Sequence, residues 1–533
     1  MHTRRVAPSL VALLARTAVA TPRVRAGDPP APPAPPSPPS VAAPPSPGLT
    51  LTVYSSADPA GFDPTQFVAQ QRAGDDPTAA WQVPGYGIVK DVRALEIPTG
   101  VGEVRLTDVA QFIDPTTVSF ADLSGAGGAQ VLEQAFRFDL ASADKILERY
   151  VDRTIAHETT KDGAVVAKIE GKVLSVGQGT VVLQTADGAL RYLSTRDPGL
   201  RLPALPDGLL TRPTLVWKTS AANGGAHLVR TGYETKGLTW RADYNLVLSA
   251  DATRADLGAW VTLLNLSGAS YRGARLKLIA GDVQKVNPEP ELVERLSDDA
   301  AKDAGTAGAG FEEKSFFEYH LYTLGRPADV LEASTQQIAL FPTVHDAAVE
   351  RLLVYDGLPE AASWGEFAQP RTDRDIRSAA NPKVDVYVRF RNEKANQLGM
   401  PLPKGKLRVF QKDDADGSLE FVGEDLIDHT PKDETVLVRL GQAFDVVGDR
   451  VQKDFTIDVR RKTMTDAYEI TLRNHKDAPA KVVVRESLFR WTTWEITRSS
   501  DPFVRKDART VEFEVVVPRD GEKVISYAAR YTW

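Results

Sequence analysis

A chain of 533 residues is too long for one hydrophobic core, and at roughly 150 residues per domain it predicts about three domains after the first fifty residues. The 64 basic and 71 acidic residues nearly balance, and a net charge of −7 gives no general attraction to nucleic acid or to anionic lipid. Because the chain has no cysteine, disulfides, thiolate metal sites, a cysteine nucleophile and a lipidated cysteine are excluded.

Residues 1–20 have the pattern of a secretory signal peptide; the alternative is a disordered terminus. Arg4 and Arg5 make a basic start, residues 6–15 are mostly apolar, and Ala-Val-Ala at 18–20 fits a small-residue cleavage site, although Arg16 interrupts the apolar part. No other stretch has the roughly 18 consecutive apolar residues that span a bilayer. We therefore expect a periplasmic or secreted protein with no transmembrane segment after signal cleavage.

Residues 21–50 form a proline-rich segment that contains "PPAPPAPPSPPSVAAPPSPG". Proline removes backbone donors, and alanine and serine offer little to bury, so this segment cannot build a core. It is either a stiff spacer that holds the folded part away from a surface or a disordered leader. We expect folded structure to begin near Leu51.

Residues 51–161 are predicted to form a β-rich N-terminal domain with one helix. Segments such as "GIVKDVRALEIP" and "VGEVRLTDVAQFI" alternate apolar and polar residues between Gly, Pro and Asp turns. The helix candidate is "SADKILERYVDRTI", which Ser142 can cap. Its apolar face would consist of Ile146, Leu147, Tyr150 and Val151.

Residues 162–230 contain short strands joined by tight glycine turns, which predicts a small β-barrel-like domain or a sheet of its own. The "VGQGTVV" segment has a G-x-G pattern at Gly177 and Gly179, but a strand pattern follows it. A phosphate site of this kind needs a helix there. Both glycines are therefore interpreted as hairpin residues.

Residues 231–380 and 381–533 are predicted to form two β-sandwich parts. Three segments share one form, in which an alternating strand closes on an asparagine and a polar connection leads to a second strand; the asparagines are Asn265, Asn392 and Asn474. The sequence leaves open whether these sandwich-like units are duplicated. Residues 287–314 are acidic with little apolar periodicity, which predicts an exposed loop.

The stretch "GLTWRADYNLVLSAD", Gly237 to Asp251, places aromatic and charged residues close together like a catalytic cluster. In a strand, however, Trp240 and Tyr244 share one face while Arg241 and Asp243 share the other. The first pair is predicted to lie in the core. The second is predicted to form an ion pair, which would be worth at most about 1 kcal/mol if it is exposed.

The strong catalytic and nucleotide-binding signatures are missing from the sequence, which has no G-x-x-x-x-G-K-[ST], G-x-S-x-G or H-E-x-x-H. "KDDADGSLEF" resembles part of a calcium loop, but Lys412 and Gly423 occupy ligand positions, so an Asp-Gly hairpin turn is favoured. No cofactor is predicted, and no catalytic residue can be chosen.

Two weaker sets of candidates remain. Glu318 and His320 share a strand face, and His345 with Asp346 could complete a metal site if the strands met. The interpretation that we favour is hydrogen-bonded or surface pairs without metal. Trp491 and Trp494 could offer a sugar-binding surface, but in a regular strand they face opposite sides, which favours core packing of at least one.

The segments "GLTWRADYNLVLS", "GAWVTLLNLSGASYRGARLKLIAGDV", "FEYHLYTLGRPADVL", "PLPKGKLRVFQKDDADGSLEFVGED" and "WEITRSSDPFVRKDARTVEFEVVVP" resemble the bacterial domain-of-unknown-function family 4139, the mucoidy-inhibitor-like proteins. The resemblance covers about residues 231–533. It implies a β-rich extracytoplasmic protein, and the family name points to an exopolysaccharide phenotype; it brings no catalytic residues. The long heptad helices of better-known members are missing, and a strand-rich insert takes their place.

The sequence thus predicts a mainly β, multi-domain protein of antiparallel β-sandwich-like units with a small barrel-like insert and one or two short helices. The leading functional hypothesis is an exported, non-catalytic binding protein of the bacterial cell envelope, whose partner is a protein or a polysaccharide. The alternative is a hydrolase of envelope polysaccharide or peptide, with acidic residues on loops above a β scaffold. The sequence indicates neither the ligand nor the oligomeric state.

Overall fold

The computed structural model describes most of the chain after residue 47. The described residues are 48–55, 63–73, 79–125, 128–138, 143–161, 163–204, 206, 210–281, 311–316, 318–363, 368–374 and 381–533. The predicted signal peptide, nearly all of the proline-rich segment, Ser142 and most of the acidic loop lie outside them.

β-strands dominate the described residues, which confirms the predicted mainly β class. The strands before residue 236 are β1 (Gly48–Tyr54), β2 (Tyr86–Ile97), β3 (Gly100–Leu106), β4 (Ile113–Asp122), β5 (Gln130–Arg137), β6 (Thr154–Lys161), β7 (Ala164–Gly177), β8 (Thr180–Thr185), β9 (Leu190–Ser194), β10 (Leu200–Arg201), β11 (Thr214–Ala221) and β12 (Gly225–Thr235). Those that follow are β13 (Leu238–Leu248), β14 (Arg254–Asn265), β15 (Tyr271–Ala280), β16 (Phe311–Phe316), β17 (Tyr319–Leu324), β18 (Ala328–Val330), β19 (Ser334–Asp356), β20 (Lys383–Arg391), β21 (Gly405–Lys412), β22 (Leu419–Ile427), β23 (Thr435–Asp458), β24 (Thr463–Asn474), β25 (Ala480–Ser487), β26 (Trp494–Ser499), β27 (Val504–Arg505), β28 (Thr510–Val517) and β29 (Gly521–Thr532). The described α-helices are α1 (Pro64–Ala73) and α2 (Ala143–Glu148), and short 3-10 helices span Ala79–Gln82, Pro359–Ser363 and Lys394–Asn396.

One five-strand pattern occurs four times in the described part of the chain. In each unit the first, second and fifth strands form an antiparallel ladder, and the third and fourth strands form a separate antiparallel pair. The first unit consists of β1, β2, β3, β11 and β12, and the second of β13, β14, β15, β18 and the N-terminal half of β19. The third unit consists of the C-terminal half of β19, β20, β21, β22 and the N-terminal half of β23, and the fourth of the rest of β23, β24, β25, β28 and β29.

Parallel pairings connect neighbouring units. The third strand of each later unit lies parallel to the first strand of the unit before it: β15 to β1, β21 to β13, and β25 to β19. The sheets are therefore mixed. Alternation in the sequence predicts single strands well, but it contains no information about such long-range parallel partners.

The joins between units are short or are not loops at all. Between the first and second units Gly237 has a positive φ of 83°, and a Cβ there would lie 2.7 Å from the Leu266 carbonyl oxygen. The other two joins are continuous strands, because β19 runs for 23 residues and β23 for 24 residues, each through two units. Register shifts mark the points where these strands change partners.

An insert separates the third and fourth strands of the first unit. It contains a five-stranded sheet in the order β10-β6-β7-β8-β9, whose path does not close, so it forms a sheet rather than a barrel. Leu147 and Tyr150 pack on it as predicted, but α2 ends at Glu148, earlier than the apolar pattern predicts, and Val151 is exposed. Gly177 is the last residue of β7, and Gly179 lies in the turn before β8 with a φ of 74°. Both are hairpin residues, as interpreted from the sequence.

Each of the last three units closes its second strand with the same buried asparagine contacts. The side-chain amides of Asn265, Asn392 and Asn474 donate to a carbonyl a few residues on, Ala269 (2.9 Å), Met400 (2.7 Å) and Ala478 (2.9 Å). Each amide also donates to a carbonyl at or just after the fourth strand of its own unit. Three similar sequence segments thus correspond to one repeated structural unit.

Candidate functional site

A small cleft lies where the first three units meet, and we call it the junction cleft. Strand ends form most of its wall, so a rigid scaffold positions its side chains. Its cavity volume is about 10 Å³, which is room for about one group of the size of a water molecule. Its lining residues are Ser55, Trp240, Arg241, Ile279, Ala280, Gly281, Pro403, Lys404 and His429.

Strand β13 positions the aromatic side of the cleft. Trp240 is 2% exposed, and its indole N–H donates to the Val53 carbonyl at 3.1 Å. Tyr244 is fully buried and donates its hydroxyl to the Pro403 carbonyl at 2.8 Å. The predicted core placement of both rings is confirmed, and each also ties β13 to a neighbouring unit.

The polar face of β13 carries the predicted ion pair, and that pair is buried. Arg241 Nε lies 3.1 Å from Asp243 Oδ2, so the predicted ion pair exists, but Asp243 is only 4% exposed. Thr262 donates its hydroxyl to the same carboxylate at 2.5 Å, and Arg408 lies 3.6 Å from its other oxygen. The pair is buried because β13 is a central strand, with β14 and the parallel β21 on its two sides.

Histidine and lysine complete the cleft. The backbone N–H of Lys404 donates to His429 Nδ1 at 3.2 Å, which leaves Nε2 as the ring nitrogen that bears an N–H. Arg241, Lys404 and His429 therefore line the cleft as three side chains that bear N–H donors. Such a set suits the oxygens of an anionic group.

The fourth unit contains a second group of polar residues, which we call the buried charge network. Arg450 donates to both Glu486 oxygens at 3.0 Å, lies 3.5 Å from the centre of the Tyr468 ring, and is 5% exposed. Glu486 also accepts a hydrogen bond from the Tyr527 hydroxyl. Each charge here has an opposite charge beside it.

The other half of the buried charge network holds a loop in place. Arg490 pairs with Asp466, and both are fully buried; Asp466 also accepts from Gln452 at 2.7 Å and from Tyr468 at 2.8 Å. The remaining Arg490 donors reach the backbone carbonyls of Arg371, Asp373 and Arg374. Because this network is internally paired, we interpret it as structural.

The predicted metal candidates pair with other carboxylates. His320 Nδ1 lies 2.8 Å from Glu313 Oε1 and His345 Nδ1 lies 3.0 Å from Asp256 Oδ2. Glu318 is exposed in the turn before β17, and Asp346 donates its backbone N–H to Asp256. The two histidines belong to different sheets. Within the described residues no group of three or more His, Asp or Glu side chains is arranged to hold a metal ion.

Trp491 and Trp494 both pack, partly buried, against the core of the fourth unit. The Trp494 indole N–H donates to the Ala508 carbonyl at 2.8 Å, and the Arg505 guanidinium lies 4.5 Å from the ring centre. One face of Trp494 is therefore in contact with arginine. The hairpin predicted at "KDDADGSLEF" is present between β21 and β22, with Gly417 at a φ of 76°.

A histidine–aspartate pair in the first unit had no sequence signal. His227 Nδ1 lies 2.6 Å from Asp122 Oδ2, and its Nε2 lies 3.0 Å from the Asn223 carbonyl oxygen. Burial opposes ionisation of Asp122, but hydrogen bonds from Ala129, Ser124 and His227 outweigh it and lower its pKa to about 2. The hydrogen bond to Asp122 raises the pKa of His227. With both ring nitrogens engaged, the pair holds a turn.

Comparison with known proteins adds no relationship, since no family model matches the chain and no curated protein matches it. In the part of the chain that the structure describes, no helix is both long and apolar enough to cross a membrane. The resemblance of residues 231–533 to family 4139 stays a prediction from the sequence segments.

Proposed function

We propose that this chain is an exported, non-catalytic binding protein of the bacterial cell envelope, and that its junction cleft takes an anionic group of an envelope polysaccharide. The observation that carries the proposal is the convergence of Arg241, Lys404 and His429 on one cleft. Charge-assisted hydrogen bonds to an oxyanion are roughly twice as strong as neutral ones. A carboxylate on a sugar ring is a ligand of this kind.

The scaffold of the cleft supports binding of a rigid ligand. Arg241 is fixed by Asp243, and His429 is oriented by the Lys404 backbone. Such pre-organisation lowers the entropy cost of binding. Apolar side chains of Ile279 and Pro403 line the remaining wall. Because the cleft has room for about one water-sized group, an oxygen of the anionic group would enter it and the sugar ring would lie outside.

The envelope location and the family are proposed on sequence grounds. The basic, apolar and small-residue pattern of residues 1–20 supports export, and the proline-rich segment supports a spacer between the folded part and a surface. We also propose that residues 231–533 form a domain of the mucoidy-inhibitor-like family. That span contains the three units closed by a buried asparagine.

A binding titration tests the cleft. Calorimetry with polygalacturonate as the anionic polymer and dextran as the neutral one should give binding of the first only. Lys404→Met and His429→Gln should each weaken that binding about tenfold, the loss of one charge-assisted contact. Lys481→Met, which removes an exposed lysine paired with Glu514 in the fourth unit, is the matched control and should bind as the wild type does. Equal binding by all four proteins would refute the cleft.

Two further measurements test the rest of the proposal. Fractionation of cells that express the full chain should place it in the periplasm or the medium, and a product confined to the cytosol would exclude export. Size-exclusion chromatography of polygalacturonate after incubation should show an unchanged chain length. Shortened chains would favour the hydrolase alternative.

A further inference from the structure

A buried lysine occupies the outer face of strand β15. Leu276 and Leu278 point into the main core and are fully buried, so Lys277 between them points to the opposite face. Lys277 is nevertheless only 8% exposed. It makes no ion pair with any carboxylate of the described residues.

Further cations lie around Lys277 on the same face. Arg275 is two residues away on β15. Thr50 of β1 lies opposite Arg275 on one side and opposite Lys90 of β2 on the other. Lys314 of β16 lies opposite Leu321, which in turn lies opposite Ile279. We call Lys90, Arg275, Lys277 and Lys314 the cationic cluster.

The charges that act most strongly on Lys277 are cations. Burial first, and then the charges of Arg275, Lys90 and Lys314, lower the pKa of Lys277 from 10.5 to about 8. The register also places Glu312 and Glu234 on this face, each at least one strand away from Lys277, whereas Glu313 lies on the opposite face and bonds His320. Side chains with this kind of perturbation concentrate at functional sites.

The cluster adjoins the junction cleft. Ile279, which lines the cleft, is two residues from Lys277 on the same strand face, a separation of about 7 Å. Ile279 of the cleft and Lys277 of the cluster thus lie on one face of β15. A polymer that is bound in the cleft and continues along β15 would reach the cluster.

We propose that the cationic cluster is a second binding site for the acidic polysaccharide, in which Lys277 contacts the carboxylate or sulfate oxygens of a sugar beyond the one held in the junction cleft. This inference rests on the proposed function. The shared chemistry is an oxyanion repeated along a sugar chain. A buried cation without a carboxylate partner then receives its counter-charge from the ligand.

The test variant is Lys277→Met, which removes the charge and keeps most of the side-chain volume. Polygalacturonate and dextran sulfate supply the two oxyanions, and neutral dextran is the blank. We expect about tenfold weaker binding of the preferred polymer, and a salt dependence reduced by about one ionic contact. The melting temperature at pH 7 should rise, because a buried charge is removed. Lys481→Met is again the control, and it should change neither the affinity nor its salt dependence.

The two sites can fail separately. If Lys404→Met weakens binding and Lys277→Met does not, the cationic cluster is refuted and the cleft stands. If only Lys277→Met weakens binding, the cluster stands without the cleft. Tighter binding to phosphatidylglycerol vesicles than to either acidic polymer, lost in Lys277→Met, would overturn the polysaccharide assignment in favour of a membrane surface.

Discussion

The fourth unit and the sheet of the first unit both bury basic side chains, but they treat the charge differently. In the fourth unit Arg450 and Arg490 each contact a buried carboxylate, Glu486 and Asp466. On the face of β15 opposite the main core, the charges that act most strongly on Lys277 are those of Arg275, Lys90 and Lys314. In the fourth unit each of these charges is neutralised within the chain, whereas the charge of Lys277 has no carboxylate partner among the described residues.

The free energies of the two arrangements have opposite signs. Removing one member of a buried, hydrogen-bonded ion pair leaves an uncompensated charge and costs about 3–5 kcal/mol. Removing a buried charge that has no partner relieves its desolvation instead. Substitutions in the two regions should therefore move stability in opposite directions.

The largest effect is expected at Arg490. Arg490→Met removes the counter-charge of Asp466 and the donor to the carbonyls of Arg371, Asp373 and Arg374, and should lower the free energy of unfolding of the fourth unit by about 3–5 kcal/mol. Hydrogen exchange of β24 and β29 amides, measured by mass spectrometry, reports this locally. The matched control Arg485→Met breaks a partly exposed pair with Glu512 and should cost about 1 kcal/mol or less. Equal losses in the two variants would contradict the comparison.

Asn474 is a neutral side chain whose partners are also buried, so its removal should lower stability as the removal of a paired charge does. Asn474→Ala removes the donors to the Ala478 and Pro518 carbonyls and the acceptor of the Lys476 N–H. We expect a loss of about 2–3 kcal/mol, because buried backbone groups remain unsatisfied. Asn245→Ala, at a half-buried position in the middle of β13, should cost less than about 1 kcal/mol. Urea unfolding measures both losses. A larger loss in Asn245→Ala than in Asn474→Ala would contradict a structural role for Asn474.

Substitution of Lys277 should raise the free energy of unfolding, whereas the two substitutions above lower it. Its pKa lies below its ordinary value, so the folded state disfavours the charged form, and the destabilisation is complete below about pH 8 and disappears above about pH 10.5. After allowance for solvent screening, Lys277→Met should gain about 1–2 kcal/mol at pH 7 and little at pH 10.5. Thermal unfolding across this pH range measures the difference. If Lys277→Met instead lost stability at pH 7, Lys277 would stabilise the fold as Arg450 and Arg490 do, and the comparison would fail.

The smallest effect is expected at Asp356, where the fourth unit meets the end of β19. Burial first, and then the charge of Glu486, raises the pKa of Asp356 to about 6, against the hydrogen bond from the Leu358 N–H. Because the folded pKa is raised, stability falls as the pH rises from about 4 to above 6. Asp356→Asn should gain about 1 kcal/mol at pH 8 and nothing below pH 4. A gain that does not change with pH would point to a cause other than this titration.

The sequence predicts features that depend on neighbouring residues. Alternation identifies β13 and places Trp240 in the core, and the asparagine at the end of a strand predicts the local contacts of Asn474. The paired charges could not be predicted in this way. Asp466 meets Arg490 only because β24 and the segment after β25 lie in one core, and Asp243 meets Arg408 only through a parallel pairing.

Candidate sites failed for the same reason. His320 and His345 have suitable chemistry, but the chain places them on different sheets, each with a nearer carboxylate. Lys277 looks like any other lysine in a strand of alternating residues, "RLKLIA". Its burial and its cationic neighbours depend on strand order, which a single sequence does not contain.

The continuous strands β19 and β23 have a consequence for cooperativity. In an array of repeats, stability divides into a part within each repeat and a part between nearest neighbours. Here each of these strands supplies the last strand of one unit and the first strand of the next. When one unit unfolds, its neighbour therefore loses the pairing of one of its own strands. The neighbour term should therefore dominate, and the second, third and fourth units should melt in a single transition, with no one of them folding when expressed alone.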